Sequence, residues 1–107
     1  EMIKDQRRLP LETIQAKLHS DKSLIVALHR LLNIYEGYAR GITQRIYDNE
    51  VIKAGRKTVM LRTFDIFQEY ILHRRSIGSP SAWEHLEAIT NEWRLEDRRP
   101  RYREPTA

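Results

Sequence analysis

The side chains of this chain with chemistry to offer are four histidines (His19, His29, His73, His85), three glutamates close in sequence (Glu84, Glu87, Glu92), two tryptophans (Trp83, Trp93) and nineteen lysines and arginines. A metal centre on a helix needs histidines and carboxylates at set spacing, as in H-E-x-x-H, and no such pair occurs. The histidines read as surface or helix-end residues. Glu84 and Glu87 fall one turn apart, but a working acid and base need a cleft and a partner element as well. On a helix they read as an acidic outer face. Trp83 and Trp93 share a helical stripe with Leu86, the pattern of core residues and not of a ligand-stacking pair. No phosphate-cradling glycine loop, dinucleotide turn or nucleophile elbow is present. Cysteine is absent, which excludes disulfides and thiolate metal sites and is compatible with a reducing compartment. The expectation is a protein without catalytic residues, cofactor or small-molecule substrate.

The basic residues offer another kind of chemistry. Arg40, Arg45, Lys53, Arg56, Lys57 and Arg62 face only Asp48 and Glu50 over the same stretch, and Arg98, Arg99, Arg101 and Arg103 crowd the C-terminal end around Tyr102. These ten residues form the candidate polyanion-binding set, for nucleic acid or anionic lipid. The net charge of +4 is a mild bias for a dedicated nucleic-acid module, so solvated charge is the leading reading of the whole surface. Two expected helices, 49–55 and 58–75, have the outline of a helix-turn-helix. The second opens Thr58-Val59-Met60-Leu61, apolar where a recognition helix exposes polar side chains to the bases.

The elements that must hold these residues are helices. From Ser20 to Ile46 apolar residues recur as Leu24, Leu28, Leu31, Tyr35, Tyr38 and Ile42, beside a second stripe of Ile25, Leu32, Ala39 and Ile46. At about 100° per residue the apolar positions cover about half the circumference, too much for one neighbour. This helix should sit in the middle of a bundle, opened by Ser20 as N-cap and Asp21 in the first turn. His29, Arg30, Asn33, Glu36, Arg40 and Gln44 fall on the other, polar half. Gly37 and Gly41 lie four apart on its edge, a spacing that reads as a weakening of the helix end or as close approach of a neighbouring chain more than as a dimer motif. Pro10 starts a helix over 11–19. Asp48 caps a short helix over 49–55 that stops at Gly55, and Thr58 caps the next, with a stripe of Met60, Phe64, Phe67 and Ile71. Gly78-Ser79-Pro80-Ser81 is a turn whose serines can cap a final helix over 82–95. The predicted fold is all-α: a small bundle of four main helices plus one short helix over 1–95, and an extended or disordered basic C-terminal tail over 96–107. Truncating Leu31 to alanine should cost about 2–5 kcal/mol, as for a buried leucine.

Three pieces carry a resemblance: Leu31-Leu32-Asn33-Ile34-Tyr35-Glu36 with Ala39 and Gly41; Tyr47-Asp48-Asn49-Glu50-Val51-Ile52 with Phe64, Phe67 and Tyr70; and Ser81-Ala82-Trp83-Glu84 with Trp93. They resemble an uncharacterised family of bacterial helical proteins known as a domain of unknown function. The resemblance implies an all-helical fold, often preceded by a membrane helix, and assigns no catalytic residue. The segment Ala54-Gly55-Arg56-Lys57 is more basic than the pattern.

The functional expectation is a non-enzymatic helical interaction domain whose partner is a protein, with self-association as one version. The alternative is a polyanion-binding accessory domain. Apolar runs in the chain are too short to span a bilayer. With a membrane helix upstream, Lys4, Arg7 and Arg8 would favour the cytoplasmic side, leaving the domain tethered to the inner face of the membrane.

Overall fold

The computed structural model describes residues 8–98, which form four helices: α1 (Leu11–Ser20), α2 (Ser23–Thr43), α3 (Asn49–Ser76) and α4 (Glu84–Arg98). No strand occurs among the described residues. Pro10 precedes α1 and its carbonyl accepts the N–H groups of Thr13 and Ile14.

The start of α2 departs from the expected Ser20 cap. Ser20 closes α1 instead, its hydroxyl bonding the Lys17 carbonyl at 2.9 Å. Asp21 then takes the capping role, accepting the Ser23 N–H at 3.1 Å and the Ser23 hydroxyl at 2.7 Å. At the other end the Ile46 N–H bonds the Gly41 carbonyl at 2.8 Å and the Arg45 N–H bonds the Ile42 carbonyl at 3.0 Å. This paired pattern is a Schellman closure, with Arg45 at φ +62° where glycine usually stands. The Tyr47 ring folds back against Gly41, so a Cβ there would fall inside the ring, whereas Gly37 faces open space.

Asp48 caps α3 as expected, accepting the Glu50 N–H at 2.8 Å. The predicted break at Gly55 is absent. One helix of 28 residues replaces the separate short helix and its successor, which also removes the helix-turn-helix outline. A glycine inside a helix costs about 1 kcal/mol, which flanking contacts can outweigh. Here Lys53 and Lys57, on either side of Gly55, both reach carboxylates of α4. The irregularity lies later, at Phe67 (φ −103°, ψ 16°). α4 starts at Glu84, two residues beyond the expected point, and runs to Arg98. Glu96, Asp97 and Arg98 are thus helical and not part of an extended tail; residues 99–107 lie outside the described residues.

The core is drawn from every helix: Ile14 of α1, Leu28, Leu32 and Ala39 of α2, Met60, Phe64 and Ile71 of α3, and Leu86, Ile89 and Trp93 of α4. Both tryptophans are buried. α2 packs on all three other helices, as expected of a central element, and so does α3. Within the apolar stripes of α2, Leu32 is fully buried while Leu31 is half-exposed, so the burial expected at Leu31 belongs to its neighbour.

α1 runs parallel to α3: the Leu9 N–H bonds the Ile66 carbonyl at 3.1 Å and the Leu11 N–H reaches Glu69 Oε1 at 3.3 Å. α4 runs antiparallel to α3, with Glu87 bonded to Arg75 and Glu96 to Lys53. With ten residues against 21, α1 is about 15 Å long beside the roughly 30 Å of α2 and covers only part of it.

Candidate functional site

The seven candidate polyanion-binding residues among those described do not form one patch. Lys53 bonds Glu96 at 2.8 Å and lies 3.4 Å from Glu50; the Glu96 hydrogen bond holds its pKa above the ordinary lysine value. Lys57 pairs with Asp97 at 2.6 Å. Arg40 lies 3.7 Å from Glu36. Arg45 is exposed at the end of α2, and Arg56 donates to the Gly55 carbonyl beside it. Arg62 and Arg98 are exposed and make no ion pair with another described residue. Six residues separate Arg56 from Arg62, which places them about 120° apart around α3. Arg99, Arg101 and Arg103 lie outside the described residues. α4 thus turns its acids towards the two lysines of α3, and Arg56 and Arg62 point in different directions.

Among the described residues, two concave features on α2 stand out instead. The first is an apolar groove of about 770 Å³ between α1 and α2, floored by Phe67 of α3. Ile14 and Leu18 of α1 and Leu24, Ala27, Leu28 and Leu31 of α2 line it, and Lys17 is the one charged residue in its wall. It exists because α1 is narrow, with Ile14 as its only buried residue. The α2 stripe is wider than α1 can cover.

The second is a polar cleft where the polar half of α2 meets the connection between α3 and α4. Glu36 is buried here, contrary to its expected place on the solvent face. Its Oε1 accepts the Leu86 N–H at 2.9 Å, and its Oε2 accepts the His85 N–H at 3.4 Å and lies 2.6 Å from His85 Nδ1. The N-terminus of α4 is therefore capped by a carboxylate from α2 and not by a serine of the turn. Asn33 Oδ1 accepts the Trp83 indole N–H at 2.8 Å. Trp83 has φ +55°, a conformation rare for a bulky residue, and this hydrogen bond helps to hold it there. His29 packs edge-on against Trp83 and Tyr70, and its Nε2 is 2.6 Å from the Tyr70 hydroxyl. Burial, assisted by the Arg74 charge, pushes the His29 pKa below its ordinary value. Burial raises that of Tyr70 against the opposing effect of Arg74. Arg75 secures the same connection, donating to the Ala82 carbonyl at 2.8 Å and to Glu87 at 2.7 Å.

His29 and His85 are thus structural partners and not free surface histidines, and Glu87 is engaged with Arg75. One signal for the cleft was present in the sequence: His29, Asn33, Glu36 and Arg40 follow a four–three–four spacing, a polar stripe with the period of a buried one. Among the described residues no group of three His, Cys, Asp or Glu side chains could hold a metal ion, and no helix is long and apolar enough to cross a membrane.

The fold defines a small all-α domain built on two long helices. The chain belongs to the family described as Domain of unknown function (DUF4760), whose model matches residues 2–93, a span that takes in all but the end of α4. No curated protein and no solved structure matches it.

Proposed function

We propose that the chain is a non-enzymatic protein-interaction domain, and that its α1/α2 groove receives an amphipathic helix of a partner protein. The observation that carries this reading is the groove itself: an apolar trough walled by two helices and left uncovered by the described residues along the central helix. A groove of this kind suits apolar side chains spaced i, i+3 or i+4, and i+7 on one helix face. The length of α1 admits about two to three turns of such a helix. Lys17 in the wall favours a partner with Asp or Glu beside its apolar stripe. The polyanion reading is the lesser one, because Lys53 and Lys57 already have carboxylate partners. As part of the same proposal, the domain works on the cytoplasmic side of a bacterial membrane, tethered by an upstream helix; Lys4, Arg7 and Arg8 supply the charge bias for that side. A gene without an upstream apolar stretch of about 20 residues removes the tether.

The binding test uses a synthetic peptide with leucines at i, i+3, i+4 and i+7 flanked by glutamates, and a second in which lysines replace the glutamates. Methyl resonances of Leu24, Ala27 and Leu31 should shift on titration, more with the acidic peptide, and the shifts should be lost in Leu24→Glu. Shifts confined to other surfaces, or equal in Leu24→Glu, contradict the reading. Light scattering over a concentration series separates the self-association version, which a strict monomer eliminates.

A further inference from the structure

The polar cleft holds a charge that the described residues leave without a counter-ion. His29, Asn33, Glu36, Arg40, Arg74 and the 78–82 turn line an open space of about 530 Å³ there. Arg74 is half-buried and makes no ion pair with another described residue. Its place in the last turn of α3 suits the helix dipole, but that explains its sign and not the open space in front of it. Glu36, the one carboxylate in the wall, already accepts from Leu86 and His85, with Arg40 at 3.7 Å on its outer side. The lining thus keeps an excess of positive charge. Donors remain as well. Asn33 uses Oδ1 for the Trp83 indole, which leaves its Nδ2 free to donate, and the Ser79 and Ser81 hydroxyls stand in the turn.

We propose that this cleft binds a single oxyanion group, a phosphate or a carboxylate of a small ligand, with the Arg74 guanidinium as its principal partner and Arg40 and Asn33 as secondary ones. A guanidinium presents a planar fork of donors that fits either oxyanion in bidentate fashion. Trp83, with its indole bonded to Asn33, gives the cleft an aromatic wall. The positive field of Arg74 acts on two neighbours: it adds to the burial that lowers the His29 pKa, and it opposes the burial that raises that of Tyr70. An oxyanion on Arg74 would cancel that field, so its binding should be readable at His29.

The test follows the Trp83 indole N–H and the His29 imidazole of the whole chain by NMR while inorganic phosphate, and separately acetate, replaces chloride at constant ionic strength. Saturable shifts at Trp83 and a rise in the His29 pKa with either anion are expected, and the tighter of the two identifies the preferred oxyanion. Arg74→Gln should weaken the response about tenfold or more, the loss of a charge-assisted hydrogen bond. Arg74→Lys should restore part of it, and Arg62→Gln on the same helix should leave it unchanged. Thermal unfolding of Arg74→Gln checks that the fold is intact; should it unfold, Arg40→Gln and Asn33→Ala must each weaken the response. Linear shifts that never saturate, or saturable shifts that persist in Arg74→Gln, would overturn the site.

Discussion

Glu36 joins the central helix to the start of α4 through three polar contacts at one carboxylate. Removing it leaves the Leu86 N–H, a buried donor, without a partner. Glu36→Ala should therefore lower the stability by about 1.5–3 kcal/mol in denaturant unfolding, the range for hydrogen bonds to a charged group, and Glu36→Gln by less, because the amide oxygen can still accept. Equal effects of the two would mean that packing and not capping is lost. At Arg45 the sign reverses. An L residue at φ +62° is strained, so Arg45→Gly should raise stability by about 0.5–1 kcal/mol, read as a higher midpoint with an unchanged slope. His29 sets a pH dependence. Its folded pKa lies below 6.5, so on acidification the unfolded chain takes up the proton first. The stability due to neutral His29 is complete above pH 6.5 and is lost as the pH falls below that value towards the folded pKa. The melting temperature of His29→Gln should fall less steeply over that window than that of the parent; parallel curves would refute the assignment.

Among the elements, the long amphipathic stripes were legible and their ends were not. The stripe of α2 and that of α3 were visible in the spacing of Leu, Ile, Phe and Met, because periodic burial writes itself into composition. Ser20, Gly55 and the turn serines each carried a local signal for a boundary, and each was overridden: the adjacent Asp21 replaced Ser20, the α4 acids bridged the region of Gly55, and Glu36 replaced the serines. A cap contributed by a residue about fifty positions away has no local signature. The two glycines of α2 give an element-scale test. Gly37→Ala fills open space and should stabilise the helix by about 0.5–1 kcal/mol. Gly41→Ala displaces the Tyr47 ring and should be at least about 1 kcal/mol less favourable than Gly37→Ala, since overpacking offsets the gain in helix propensity. Similar gains at both positions would show that Tyr47 does not hold the helix end.

At the scale of the molecule, four helices of unequal length leave one long helix under-covered. Leu32 is fully buried and Leu31 is not, so Leu32→Ala should cost about 2–5 kcal/mol in unfolding, whereas Leu31→Ala should cost clearly less. The bundle was legible from periodicity, and so was the excess of apolar face on α2. The groove was not, because its depth depends on how far α1 reaches along α2. The pairing of Lys53 and Lys57 was not legible either, because sequence does not show which acids of α4 lie opposite which lysines of α3. The most direct measurement of the central claim places a photo-crosslinking residue at Ala27, in the groove, and another at Arg62, on the exposed face of α3, in the full-length protein in its native host. The account predicts crosslinks from position 27 into an acid-flanked amphipathic helix of another protein, abolished by Leu24→Glu and absent from position 62. Crosslinks that are the same from both positions, or none from position 27, would contradict it.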